Sequence, residues 1–184
     1  MAPALGTCVK TTHSITNESA PVPAFDEFFN DWFPDLARAM ALIVRDLGDG
    51  QEIAQEGFIR LYRNWSKMRS PEHARNFVFR ASINLARTHL RRRRPLALVG
   101  FGRTELFGSV ADRSEISNDR VVFADALARL SRRQRECVVL VDYLGHDGDS
   151  AGRILGLAPP TVRVHLARGR AQLRKHLSEG KEER

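Results

Sequence analysis

Cysteine is scarce in this sequence and long apolar runs are missing. The two cysteines, Cys8 and Cys137, have neither a CxxC partner nor a histidine at ligand spacing, so no disulfide framework and no zinc site is indicated. That usage suits a reducing cytoplasm. The apolar runs are too short to span a bilayer, and the N-terminal stretch lacks an apolar core flanked by basic residues, so neither a membrane helix nor a signal peptide is expected. No internal repeat, P-loop, GxSxG, HExxH or paired-carboxylate signature occurs, which argues against an enzyme; no catalytic residue, cofactor or metal ligand is expected.

Acid is scarce too, but only in places. The 184 residues carry a net charge of +7, which favours a polyanionic partner, and the distribution says more than the sum. From Glu18 to Glu56 there are nine acids against two arginines, whereas from Arg60 to Arg94 there are eleven basic residues against the single acid Glu72. From Ser150 to Ser178 there are six Lys/Arg and no acid. A solvated helical face usually mixes signs, so the chain has one acidic surface for one partner and basic surfaces for another.

The acid-free stretch lies within DGDSAGRILGLAPPTVRVHLARGRAQLRKH, which reads as two helices around a tight corner. Asp147 is an N-cap for a first helix ending at Ile154-Leu155, and Gly156 supplies the left-handed residue that stops it. Pro159 and Pro160 fit only a first helical turn, so a second helix starts there and runs to about Leu177. On it Val162, Leu166, Gly169, Leu173 and Leu177 share one stripe, while Thr161, Val164, His165, Arg168 and Lys175 point away. Arg163 and His165 stand in its N-terminal half. A basic second helix is what a helix-turn-helix needs to enter a phosphate-lined major groove and show donors to base edges.

In chain order, residues 1–21 read as a disordered tail. Phe25 opens an aromatic-rich amphipathic helix that Pro34 restarts, with Leu36, Met40, Ile43, Val44 and Leu47 inward before a break at Gly48-Asp49-Gly50. The next helix sends Ile53, Phe58, Leu61, Tyr62 and Trp65 to the core and shows Glu52, Gln55, Glu56 and Arg60 outside. Ser70-Pro71-Glu72 starts a helix to Arg94 that packs through Ala74, Phe77, Val78, Ala81 and Leu85. Beside that stripe Arg80, Asn84, Arg87 and Arg91 recur at i, i+4, i+7 and i+11, a polar row that can follow a nucleic acid backbone and read bases. Residues 95–119 carry no sustained period and form a linker whose extended reach, roughly 80 Å, exceeds the about 70 Å between two turns of DNA. Helical pattern returns at about Arg120 with Val122, Ala126, Leu127 and Leu130. A Ser131/Gln134 capping box opens a further helix, in which Cys137 packs as a small apolar side chain.

Three stretches resemble a known family, the small extracytoplasmic-function (ECF) group of bacterial sigma factors, which keeps conserved regions two and four. GQEIAQEGFIRLYRNW resembles the region-two segment that docks on the clamp helices of the RNA polymerase β′ subunit; RNFVFRASINLARTHLRRRR resembles the segment that melts and reads the −10 element; LSRRQRECVVLVDYLGHDGDSAGRILGLAPPTVRVHLARGRAQLRKHL is similar to region four, which reads the −35 element. The resemblance implies an all-α chain of two small helical domains: a tail (1–21), region two (22–94), a flexible linker (95–119), region four (120–178) and a C-terminal tail (179–184). It implies polymerase binding by Glu52, Gln55, Glu56 and Arg60, and DNA binding by Arg80, Asn84, Arg87, Arg91, Thr161, Arg163, His165 and Arg168. The implied partners are core RNA polymerase through its β′ clamp helices and β flap, promoter DNA, and an anti-sigma factor, in the cytoplasm at the bacterial nucleoid, with no membrane.

Two features depart from the family. Ser150, Ala151 and Gly152 stand where it usually shows Glu, Ile and Ala, and a mid-helix Gly costs about 1 kcal/mol relative to Ala, which points to a less stable region four or an unusual −35 sequence. Pro160 stands where an acidic or small residue is common. Two other classes compete with the sigma reading: a free-standing helix-turn-helix regulator that needs no polymerase, and a peripheral binder of membranes or acidic proteins that uses its basic helices as an electrostatic surface.

Overall fold

A computed structural model describes residues 22–93 and 118–182, and every regular element among them is helical. The expected N-terminal tail, residues 95–117 of the expected linker and the side chain of Val122 lie outside the described residues. No described helix is long and apolar enough to cross a membrane.

Helix α1 (Phe25–Val44) begins with Asp26 and Glu27, whose charges suit the positive end of the helix dipole. Pro34 lies inside this single helix rather than restarting it. Its ring leaves only the carbonyl of Asn30, an exposed residue, without a helical donor. The helix stops at Arg45, a non-glycine residue at φ 68° whose N–H reaches the Ala41 carbonyl at 2.7 Å. Asp46 then caps α2 (Leu47–Tyr62) by accepting the Asp49 N–H at 2.9 Å. The expected break at Gly48-Asp49-Gly50 is therefore the first turn of α2. Gly50 is needed for a different reason: a Cβ there would stand 2.4 Å from the Ala41 nitrogen, so the two helices cross backbone to backbone.

A 3₁₀ turn (Trp65–Lys67) leads to α3 (Pro71–Arg93), where Ser70 Oγ accepts the His73 N–H at 3.1 Å. Ala74 and Val78 are buried as expected, but Phe79, Ile83 and Ala86 are buried more deeply than Phe77, Ala81 and Leu85. The cause is tertiary: α3 packs on α1 and α2 with one side and on α6 with another, so its buried surface is wider than one stripe.

Helix α4 (Asn118–Ala128) starts two residues before the expected Arg120, and α5 (Arg132–Val138) opens on the Ser131/Gln134 capping box, present in both directions. A turn of π-helix (Val139–Tyr143) follows, then α6 (Gly148–Leu155), capped by Asp147 and ended by Gly156 at φ 68°. Helix α7 (Pro159–Glu182) extends beyond Leu177. Cys137 is fully buried, and burial, with Glu136 beside it, pushes its thiol up to about 11.

One continuous core joins both helical units. Arg135, 7% exposed, donates to the carbonyls of Leu127 and Ala128 at the end of α4, of Leu130 just beyond it and of Ile43 near the end of α1, at 2.9–3.1 Å. It supplies donors to carbonyls at and just beyond two helix ends, where the helical ladder runs out.

Candidate nucleic-acid interface

The outward face of α7 is displayed by burial of the opposite one. Val162, Gly169 and Leu173 are buried, and Leu166 and Leu177 pack partly against the core. Gly169 fits closely, since a Cβ there would meet Val138 Cγ2 at 2.9 Å. Thr161, Arg163 and Arg168 are consequently exposed, and His165 is half-buried at the edge of the face. Within the acid-free stretch, Arg170 and Arg153 are held by acids from elsewhere in the chain: Arg170 grips Asp142 with Nη2 at 2.6 Å and Nε at 3.1 Å, and Arg153 reaches Glu72 at 3.1 Å. The hydrogen bond to Asp142 raises the pKa of Arg170. Distant acids were invisible to a count along the local sequence.

On α3, Arg80, Asn84 and Arg91 are exposed along the predicted row. Arg87 has another occupation in this arrangement. Its Nε and Nη2 donate to Glu136 Oε1 and Oε2 at 3.0 and 2.8 Å, and Nη2 also donates to the Leu155 carbonyl at 3.2 Å. Glu136 is wholly buried and is held as well by Arg133 at 3.1 Å and Arg132 at 3.8 Å. This charged knot ties α3 to the helix-turn-helix.

A second tie lies one helical stretch away. Ser150 Oγ donates its only proton to Asn76 Oδ1 at 3.0 Å, so it must accept from His146 Nδ1, 3.2 Å distant, which sets the neutral tautomer with Nδ1 protonated. The imidazole is buried edge-on to Phe79, with ring centroids 5.1 Å apart, and burial, with Arg75 nearby, lowers its pKa to about 3. Ser150 is thus not merely a departure at a helix position; its short hydroxyl serves the contact with α3.

On α2, Glu52, Gln55 and Arg60 are exposed, and Glu56 pairs with Arg60 at 2.8 Å. Tyr62, expected in the core, is 65% exposed, and Ile59 is 45% exposed. With Phe25, Phe29, Phe58 and Gln55 they line an open apolar groove of about 350 Å³ beside the acidic face. Tyr62 is held there by the edge of Phe25, 4.9 Å between centroids. Periodicity missed it because α2 ends at Tyr62 and the chain turns before its outer side is covered.

Comparison with known proteins agrees with this geometry. The sigma-70 region 2 family matches residues 28–95 and the sigma-70 region 4 family matches residues 120–173. The chain is 30% identical over 156 residues to the ECF RNA polymerase sigma factor SigM of Mycobacterium tuberculosis, covering 84% of this chain and 77% of that protein. It is 31% identical over 155 residues to the RNA polymerase sigma-E factor of Streptomyces avermitilis, covering 83% and 84%. Among solved structures, the fold is shared with the sigma factor RpoE in complex with the anti-sigma factor NepR from Bartonella quintana (TM-score 0.68, 19% identity, 84% of this chain and 96% of that one). It is shared too with CnrH in complex with the cytosolic domain of CnrY (TM-score 0.62, 24% identity, 84% and 88%). With both conserved regions matched in order and relatives of this group aligned along most of their length, the chain belongs to the ECF group of the sigma-70 family of RNA polymerase sigma factors.

Proposed function

We propose that the chain binds core RNA polymerase through α2 and directs it to promoters that α3 and α7 select. Residues 22–94 form the polymerase and −10 unit: Glu52, Gln55, Glu56 and Arg60, with the groove at Ile59 and Tyr62, meet the β′ clamp helices. Arg80, Asn84, Arg87 and Arg91 take the −10 strand. Residues 120–178 form the −35 unit, placed by the β flap, in which Thr161, Arg163, His165 and Arg168 face the major groove. The length of the linker before α4 allows the two to reach separate DNA turns, and the factor works in the cytoplasm without catalysis of its own. The observation that carries this reading is the combination of an outward face on α7 that is acid-free from Pro159 to Ser178 with a separate acidic and apolar face on α2. An anti-sigma factor is a partner class supported by the RpoE and CnrH complexes.

The test is run-off transcription from a genomic promoter library with reconstituted core enzyme. Specific transcripts are expected with the chain and not without it, and reversal of Glu52 and Glu56 to Lys should weaken capture of core polymerase while native helicity is retained. A chain that selects operators but never captures core polymerase would be a free-standing regulator instead.

A further inference from the structure

We infer that Val164 reads a thymine methyl group in the −35 duplex, an inference that rests on the sigma reading above. Three large apolar side chains stand out among the described residues as exposed: Ile59, Tyr62 and Val164. The first two line the groove beside the acidic face of α2. Val164, 47% exposed, stands by itself at the centre of the outward face of α7, about half a turn around the helix from the buried Val162, Gly169 and Leu173. It lies five residues from the start of the helix at Pro159, in the half that meets base edges in a helix-turn-helix.

Nothing within the chain accounts for a valine there. Nearly half of its surface is open to solvent, and in a helix a β-branched residue is less favourable than alanine. Its surroundings fit a DNA groove. Ala167 and Ala171, at i+3 and i+7, are exposed and small, which lets the helix backbone sink toward the base edges. Arg163 and Arg168 flank the row on either side and can donate to neighbouring polar base edges, leaving the apolar position between them to Val164. An isopropyl group can neither donate nor accept a hydrogen bond, so the only sequence-specific feature it can recognise in the major groove is the C5 methyl of thymine. A β-branched side chain in a helix is held mostly in one rotamer, so its methyls are pre-positioned and little freedom is lost on contact.

The experiment is binding-site selection by the full chain assembled with core polymerase. Two duplex libraries differ only in the randomised −35 segment: one is built with thymine, the other with deoxyuridine, which pairs identically but lacks the methyl. The wild type is expected to enrich thymine at one or two positions of the first library and to lose that preference in the second. Duplexes resynthesised with a single deoxyuridine there should bind about fourfold more weakly, the effect of one buried methyl group. Val164→Ala, which keeps the helix and the charge, should bind thymine and deoxyuridine duplexes equally while its other base preferences persist. Enrichment that is the same in both libraries, or a Val164→Ala variant that remains sensitive to the methyl, would overturn the inference alone. Absence of any enriched −35 sequence would overturn the −35 assignment of α7 and the inference with it.

Discussion

Gly152 sits where a Cβ would lie 2.8 Å from the Leu157 carbonyl oxygen, and its own carbonyl accepts the N–H groups of both Gly156 and Leu157. Helix propensity alone makes Gly152→Ala stabilising by about 1 kcal/mol. The crowding is against backbone in a tight corner, so relief must open the turn, and the variant should instead lose about 1–2 kcal/mol in urea unfolding. The glycine that reads as a weakness in sequence is thus a condition of this corner. His146 provides the pH-sensitive counterpart. Its folded pKa, about 3, lies below the ordinary value of 6.5, so the unfolded chain binds the proton more readily between those values. Its contribution is complete above pH 6.5 and is lost as pH falls toward 3, about 2 kcal/mol by pH 5. His146→Gln should remove that part of the slope in unfolding titrations between pH 7 and 5; an unchanged slope would place the acid sensitivity elsewhere.

Among the elements, α7 separates position from charge. Arg163 lies one turn into the helix, where base edges are reached, while Lys175 lies more than two turns further on. Arg163→Ala should relax preference at one or two −35 positions, a discrimination of about 1–3 kcal/mol if the contact is bidentate to guanine. Lys175→Ala should weaken all duplexes alike and flatten the salt dependence by about one unit. Binding of wild-type and permuted −35 duplexes at two salt concentrations distinguishes them; uniform loss in both variants would make α7 a non-specific clamp. Helix α3 behaves differently because it has neighbours on two sides. Its apolar residues at 79, 83 and 86 are as decisive as those at 74 and 78, and a single-stripe reading rotates the buried face by about one residue.

For the molecule as a whole, the two units are locked together by the Arg87–Glu136 knot, the Asn76–Ser150–His146 relay and the Arg153–Glu72 pair. On the function proposed above, with DNA elements two turns and so about 70 Å apart, the packed helices α3 and α6 would part before both units engage one promoter. Arg87→Ala should favour that parting. Removing one partner of a buried pair usually costs about 3–5 kcal/mol, and because Arg132 and Arg133 remain beside Glu136 a loss of about 2 kcal/mol is expected. Small-angle scattering should show a larger radius of gyration, and a double-mutant cycle with Glu136→Gln should give a coupling above about 1 kcal/mol. Strict additivity would show that the two side chains stabilise the fold independently.

Sequence alone was sufficient for what depends on nearest neighbours along the chain. The caps at Asp147 and Ser131, the left-handed Gly156, the prolines opening α7 and the stripe through Val162 and Leu173 follow from local hydrogen-bond supply and the 3.6-residue period, and so the helix-turn-helix was legible. Pro34 and the Gly48-Asp49-Gly50 stretch were misjudged because local preference there yields to packing of α1 on α2. Arg87 belongs to the polar row read on α3, yet it is bound to a buried carboxylate, and Arg135, which no pattern singles out, is buried on four carbonyls. Their partners lie up to 92 residues away, at Ile43, and no periodicity encodes such a distance. Which charges face solvent in the packed arrangement is therefore decided by the tertiary structure, because a guanidinium held by carbonyls or by a carboxylate of another helix reaches a phosphate only once that contact opens.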